Sequence, residues 1–245
     1  MKLSIIIVSW NVKGLLKKCL ESIKEDFEII VVDNNSKDGT KEMVEKDFPE
    51  AKLIKNKKNL GFAKANNQGI QEAKGDCILF LNPDTEILDG TLEKCLKEMD
   101  TGIGILGCKI LNPDLTIQPS VRRFPTFLNI LLILSKLPKF FHFKSLDHYL
   151  AKDFNYDKSQ EVDQVMGAFM MVKKEVLDKV GMFDERFFLW FEEVDFCRRA
   201  KRNGFKIYYL AEAEIIHYGG QSFGQEMKLK NQWRFFLSAL KYFLK

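Results

Sequence analysis

Leu3-Ser4-Ile5-Ile6-Ile7-Val8-Ser9-Trp10-Asn11 passes from an apolar, β-branched run into polar side chains, and the segment after it changes period. Val12, Leu15, Leu16, Cys19, Leu20 and Ile23 recur at i, i+3, i+4 and i+7, the stripe of an amphipathic helix. The first unit is therefore strand then helix, and it repeats. Residues 28–32 predict a strand, 40–48 a helix, 52–55 a short strand, 62–73 a helix and 77–81 a fourth strand. Apolar strands alternating with helices predict an α/β fold whose central sheet is mostly parallel, Rossmann-like and covered by helices on both faces. Ligands of such sheets bind beyond the carboxyl ends of the strands, which singles out 9–11, 33–35 and 82–84.

The second half is less regular. Residues 109–118 predict a hairpin turning at Asn112-Pro113-Asp114, 165–172 a strand, 173–180 a helix closed by Gly181, 193–203 a helix ending before Gly204, and 205–210 a strand. The Phe- and Leu-rich stretch 124–143, interrupted by Pro125 and Pro138, predicts an insertion on the substrate or membrane side. A Gly-x-Gly-x-x-Gly match at Gly102, Gly104 and Gly107 is read as part of an apolar strand rather than a dinucleotide loop, because no helix follows it.

Composition narrows the function. A chain of 245 residues that is 46% hydrophobic has the length of one large α/β domain, and its five cysteines are odd in number with no Cys-x-x-Cys spacing. Buried thiols in a reducing, cytoplasmic setting are expected. The apolar start is too short for a signal-peptide core, and the run 130–134 falls far below the ~20 residues that cross a bilayer. A net charge of +4, with no basic tract interleaved with stacking aromatics, argues against a nucleic-acid partner.

Asp33, after the second strand, can accept a hydrogen bond from a nucleobase N–H or a ribose hydroxyl, an Asx turn being the structural alternative. Asn66 falls on the apolar stripe of its helix and so needs a partner, from the backbone or from a ligand. Two Asn-Pro-Asp tripeptides occur: the one at 82–84 ends a strand and is the candidate for metal binding, and the one at 112–114 reads as a structural turn. The run Phe187-Phe188-Leu189-Trp190-Phe191-Glu192-Glu193-Val194-Asp195 sets carboxylates against an aromatic wall, either a general base of raised pKa or acids favouring a helix start. His217 ends an apolar stretch beside Gly219 and Gly220 and could add a metal contact.

Together these segments resemble the family 2 inverting glycosyltransferases of GT-A fold, in particular the rhamnosyltransferase-like branch that builds bacterial surface polysaccharides. The resemblance runs from 5–11 through 30–36, 59–70, 81–85, 166–169 and 181–185 to the acidic segment and 216–220. It implies transfer of a sugar, with rhamnose among the candidates, from a dTDP- or UDP-sugar donor to an acceptor hydroxyl on a glycan or lipid-linked glycan. It also implies Mg²⁺ or Mn²⁺ as the metal. Ser9, Trp10, Asn11, Asp33, Asn66 and Asn82 would serve the donor, and Asp84, at the last position of the family's Asp-x-Asp element, would hold the metal with His217. Because Asn82 stands at the earlier position, one carboxylate is left for the ion. Glu193 takes the second position of the family's Glu-Asp pair, where the base is usually Asp, and Asp195 and Glu192 are the alternates.

This divides the chain into 1–225, with a donor half at 1–108 and an acceptor-side half at 109–225 holding the insertion at about 124–150, and a basic amphipathic helix at 226–245. Leu229, Trp233, Phe236, Leu237, Leu240, Phe243 and Leu244 follow helical spacing among Lys228, Lys230, Arg234, Lys241 and Lys245. Such a helix fits an anionic membrane surface on the inner face of the cell membrane, with docking on the core or on a second copy as the alternative. Two rival functions share the fold pattern or part of it: a sugar nucleotidyltransferase, and a noncatalytic nucleotide-sugar or glycan-binding module.

Overall fold

The computed structural model describes residues 1–135, 137–219 and 228–245. Gly220 and residues 226–227, part of the motif at 216–220 and of the expected C-terminal helix, lie outside the described residues.

The first half follows the expected order: β1 (Leu3–Ser9), α1 (Lys13–Glu21), β2 (Glu28–Asp33), α2 (Thr40–Asp47), β3 (Lys52–Lys55), α3 (Phe62–Glu72) and β4 (Cys77–Leu81). Then come β5 (Thr85–Ile87), α4 (Thr91–Met99), β6 (Ile105–Leu111) and β7 (Val121–Arg122). The insertion carries α5 (Phe127–Ser135), a single turn at Leu137–Lys139 and α6 (Lys144–Tyr149). The chain closes with β8 (Gln160–Glu161), β9 (Gln164–Val165), β10 (Phe169–Lys173), α7 (Lys174–Val180), α8 (Glu192–Arg202), β11 (Ile207–His217) and α9 (Lys228–Phe243).

The main sheet runs β3-β2-β1-β4-β10-β6-β11-β5, with β8 pairing on β11. β3, β2, β1 and β4 are mutually parallel, as are β6 and β11, whereas β10 and β5 are antiparallel to their neighbours. Ile5 and Ile7 point to one face, packing with α1, α2 and α4 through Leu16, Val44 and Cys95. Ile6 points to the other, packing with α3, α7 and α8 through Ala65, Val176 and Phe196. Burial on both faces explains why the centres of β1 and β2 and all of β4 are continuously apolar. All five cysteines are buried and free.

Several expectations change. The strand at 165–172 is two strands, because the chain turns at 166–168 between β9 and β10. The hairpin at 109–118 turns at 112–114 as expected, but its return is held by only the bridge Leu111–Ile117, with the Asn112 N–H donating to the Thr116 carbonyl and the Gln118 N–H to the Ile110 carbonyl. Of the glycines in the Gly-x-Gly-x-x-Gly match, only Gly107 lies within a strand; Gly102 and Gly104 precede it. β5 and α4 carry no expectation, the former because three residues are too few to show a period.

One close approach fixes the front of the sheet. Gly61, at φ 84° and ψ 177°, caps α3, and the N–H of Phe62 donates to the Phe188 carbonyl at 2.8 Å. A Cβ on Gly61 would stand 2.4 Å from that carbonyl oxygen, in a backbone region almost reserved for glycine. Gly61→Ala is therefore expected to cost about 2 kcal/mol or more through strain and overpacking together. Urea unfolding measures it, and an unchanged midpoint would refute the claim that this contact is tight.

Candidate active site

Two cavities adjoin at the carboxyl ends of β1, β2 and β4, and both are lined by Phe62, Asn82 and Leu189. The first, about 100 Å³, is walled by Val8, Trp10, Asn34, Gly61 and Phe188, floored by Asn82, Pro83, Asp84 and His217, and flanked by Asn231 and Arg234 of α9. Asn34 is held in place by its own bonds: its amide donates to the Gly61 carbonyl at 3.2 Å and its oxygen accepts from Asn56 Nδ2 at 3.0 Å.

The donor residues expected from the sequence divide. Trp10 and Asn82 line this cavity. Asp33 is fully buried; its Oδ2 accepts the N–H of Ser36, three residues on, at 3.0 Å, and its Oδ1 has no hydrogen-bond partner among the described residues. Ser9, paired in register with Asp33, is equally buried, with its hydroxyl in the same condition. Asn11, at φ 52°, latches the 36–37 loop, its N–H donating to Ser36 Oγ and its side-chain oxygen accepting from the Lys37 N–H. Asn66 donates to the Phe62 carbonyl at 3.0 Å within α3. Its neighbour Asn67 reaches across the fold and exchanges two hydrogen bonds with the Phe183 backbone.

Sheet register brings Asp84 and His217 together. Antiparallel pairing of β5 with β11 sets His217 opposite Thr85, and the Tyr218 N–H donates to the Asp84 carbonyl at 2.9 Å. His217 Nε2 then stands 3.4 Å from Asp84 Oδ1 and 3.4 Å from Asn82 Nδ2, with both acidic and imidazole side chains almost fully buried. Among the described residues no group of three or more His, Cys, Asp or Glu side chains forms a ready-made metal cage. A carboxylate and an imidazole side by side on the wall of a cavity nevertheless suit a hard divalent cation that takes its remaining ligands from phosphate and water.

The second cavity, about 400 Å³, is lined by Glu192 and Glu193, by Trp190 and Phe191, by Arg122, Tyr149 and Gln164, and by the 166–168 turn. Trp190 and Phe191 hold φ of 63° and 71°, unusual for bulky residues, and are braced by Phe235 and Tyr242 of α9. Burial pushes the Glu192 carboxyl well above the usual carboxylate range, and the neighbouring Glu193 charge adds to the shift. Glu193 is also raised, chiefly by burial, with the Arg122 guanidinium pulling the other way. One oxygen of each has no hydrogen-bond partner among the described residues.

Asp195 does not join them. Two residues on from Glu193 is more than half a helical turn, and its carboxylate is taken by Arg199 at 2.8 Å and Lys245 at 2.9 Å. It lines neither cavity. In this structure Asp195, expected as an alternate base, anchors α8 to the C-terminal segment.

The glycosyl transferase family 2 model matches residues 4–181. The chain belongs to glycosyl transferase family 2. It is 25% identical over 241 residues to the N-acetylglucosaminyl-diphospho-decaprenol L-rhamnosyltransferase of Mycobacterium tuberculosis, covering 91% of this chain and 78% of the relative. It is 27% identical over 231 residues to an Escherichia coli K12 rhamnosyltransferase, covering 87% and 82%. Among solved structures, the mannosyltransferase of Pyrobaculum calidifontis in complex with GDP-Man and Mn²⁺ superposes with a TM-score of 0.62 at 19% identity, covering 89% of this chain and 56% of that one. S. aureus TarS 1–349 in complex with UDP-GlcNAc gives 0.61 at 21%, covering 93% and 62%. The fold is GT-A, and the chain is a glycosyltransferase rather than a nucleotidyltransferase or a binding module.

Several polar cavity residues have no role in the sequence reading of the site, among them Arg122, Tyr149, Gln164, Asn231 and Arg234, and Asn34 falls within the segment 33–35 without a role of its own. Asn34 sits beside the expected Asp33. Arg234 belongs by helical spacing to the charges of a membrane-facing helix, but α9 turns it onto the Phe188 ring, its guanidinium 4.0 Å from the centroid.

The buried Glu192–Glu193 pair sets a pH dependence. With the Glu192 pKa raised in the folded state, its proton is released more readily on unfolding, so stability is full below the ordinary Glu range and lost as pH rises through the raised value. Glu192→Gln, which is always neutral, is expected to melt higher than wild type at pH 8 and to match it at pH 4. Equal melting temperatures at both pH values would show that the carboxyl is not desolvated.

Proposed function

We propose that this enzyme transfers a sugar, rhamnose being the leading candidate, from a dTDP- or UDP-sugar to an acceptor hydroxyl on a lipid-linked glycan, with inversion at the anomeric carbon. The observation that carries the reading is the adjacency of the two cavities: Asp84 and His217 open on the first, Glu193 on the second, and Asn82 lies between. The donor half is 1–108 and the acceptor-side half 109–225, with α9 contributing to both cavities.

Trp10 and Asn34 bound the donor's nucleotide, and Ser9 and Asp33, with polar atoms lacking partners among the described residues, supply hydrogen bonds to it once the loops at 9–11 and 34–37 adjust. Asp84 and His217 would hold Mg²⁺ or Mn²⁺, which when bound offsets charge on the departing diphosphate. The Arg234 guanidinium adds positive charge to the same cavity. Glu193 removes the acceptor proton as the oxygen attacks, and its raised pKa suits a base working near neutral pH. Leu189, Trp190 and Phe191 keep water from competing with the acceptor.

An apolar cleft of about 310 Å³ lined by Leu134 and Gln232 shares Ile133, Trp190 and Phe235 with the acceptor cavity. That continuity suits an acceptor carried on a hydrocarbon chain. α5 and α9, in contact through the Phe127 and Phe243 rings at 5.7 Å, also leave Leu128, Leu131, Trp233, Phe236 and Leu240 exposed. Among the described residues no helix is long and apolar enough to cross a membrane. We therefore place the enzyme peripherally on an anionic, cytoplasmic membrane face. The helix docks on the core and turns its remaining apolar side chains to lipid, so docking and membrane contact are compatible.

Glu193→Gln is expected to lower kcat by roughly 10²–10⁴-fold while donor affinity and Tm stay near wild type. Asp195→Asn should instead lower Tm and leave turnover per folded molecule nearly intact. The reverse pattern would move the base to Asp195. In flotation with phosphatidylglycerol vesicles the wild-type protein is expected to rise, and Trp233→Glu/Leu240→Glu to remain at the bottom. Equal behaviour of the two would end the membrane assignment.

A further inference from the structure

The second Asn-Pro-Asp, read from the sequence as a turn only, ends in a chain of hydrogen bonds that reaches the candidate metal site. We infer that Gln118, held by this turn, is a positioning residue that fixes the proton of His217 on Nδ1, so that Nε2 presents its lone pair toward Asp84. The inference rests on the reading of His217 as a metal ligand.

The chain of bonds starts at Asp114, whose ionised carboxylate only accepts hydrogen bonds. Its Oδ1 receives the Thr116 N–H at 3.0 Å and the Thr116 hydroxyl at 2.6 Å. With its proton spent there, Thr116 Oγ1 can only accept, so its contact at 2.9 Å must be the NH₂ of Asn112. That turns Asn112 Oδ1 outward, and the group 2.8 Å away must be the NH₂ of Gln118. Gln118 Oε1 is then the atom 2.7 Å from His217 Nδ1, and an oxygen acceptor at that distance requires N–H on the ring. Reversing Asn112 would set its oxygen against Thr116 Oγ1, and reversing Gln118 alone would set its oxygen against Asn112 Oδ1; in each case two acceptors would meet. One carboxylate on a surface turn thereby dictates the orientation of two amides and the tautomer of a buried imidazole.

Register keeps the pieces together. Parallel pairing sets Ile216 opposite Leu111, which places His217 alongside the turn, and the Gln118 N–H donates to the Ile110 carbonyl at 2.8 Å. At the far side of the ring, Nε2 faces Asp84 Oδ1 and the Asn82 amide, both at 3.4 Å. Outer partners of this kind commonly orient a ligating histidine and raise its basicity, and removing one typically weakens metal binding 10–100-fold.

The test reads the relay without metal and then with it. Long-range ¹H–¹⁵N spectra of uniformly labelled, metal-free protein at pH 8 distinguish a proton on Nδ1 from one on Nε2, with His217→Asn assigning the signal among the three histidines. Wild type is expected to carry the proton on Nδ1 alone, Gln118→Leu to show it on Nε2, and Gln118→Glu, which still accepts from Nδ1, to keep the wild-type pattern. Any Nε2 proton in the wild-type ring, or an unchanged pattern in Gln118→Leu, overturns the proposal. Binding of Mn²⁺ alone, from the free-ion electron paramagnetic resonance signal, should weaken about tenfold or more in Gln118→Leu and recover in Gln118→Glu. If the tautomer shifts as expected but Mn²⁺ affinity is equal in wild type, Gln118→Leu and His217→Asn, the metal reading of His217 fails, and the role given to Gln118 falls with it while the tautomer lock stands.

Discussion

The reversed direction of β10 is the constraint on which the site depends. Inserted antiparallel between β4 and β6, it runs away from the carboxyl end of β4, so its own beginning lies where β4 finishes: Phe169 pairs with Leu81, and the Asn82 N–H donates to the Ala168 carbonyl at 3.0 Å. A parallel strand here would place its start at the opposite edge of the sheet. Because it is antiparallel, the 166–168 turn, a wall of the second cavity, sits directly against Asn82-Pro83-Asp84. The short antiparallel β5 does the same for His217. Two local reversals in a parallel sheet thus convert a nucleotide-binding edge into a site with two adjoining compartments.

Legibility in the sequence divides along the same line. β1 to β4 and α1 to α3 are readable because each is long enough to show its period, and the parallel α/β pattern carries a general rule for where ligands bind. The direction of β10 leaves no such trace: Phe-Met-Met-Val-Lys reads identically either way, and the break before it looks like continued strand because Val165 and Met166 are as apolar as β10 itself. Long-range register decides that His217 meets Asp84 across 133 positions, and no local pattern contains it.

At the start of α8, helical phase is available from the sequence but its zero point is not. Glu193 and Asp195 differ by a known rotation; which of them faces the cavity is set by Lys245 and Arg199 drawing Asp195 the other way. The same holds for α9, whose stripe cannot say which of its sides packs and which stays open. Ser238, Ala239 and Tyr242 form the packed side, and Arg234 is carried to the first cavity as a result. Site residues supplied by a single strand end are therefore legible, and those supplied by tertiary packing are not.

The pair Trp190 and Phe191 gives this packing a temporal meaning. Both residues hold left-handed backbone angles that their bulk disfavours, and the rings that brace them, Phe235 and Tyr242, belong to the last helix described. Synthesis proceeds from the amino end, so the sheet and α8 emerge before α9 has been made. During that interval the backbone leading into Glu193 has no brace, and the sheet's own strands can already pair. The setting of Glu193 is thus completed only after the scaffold that carries it.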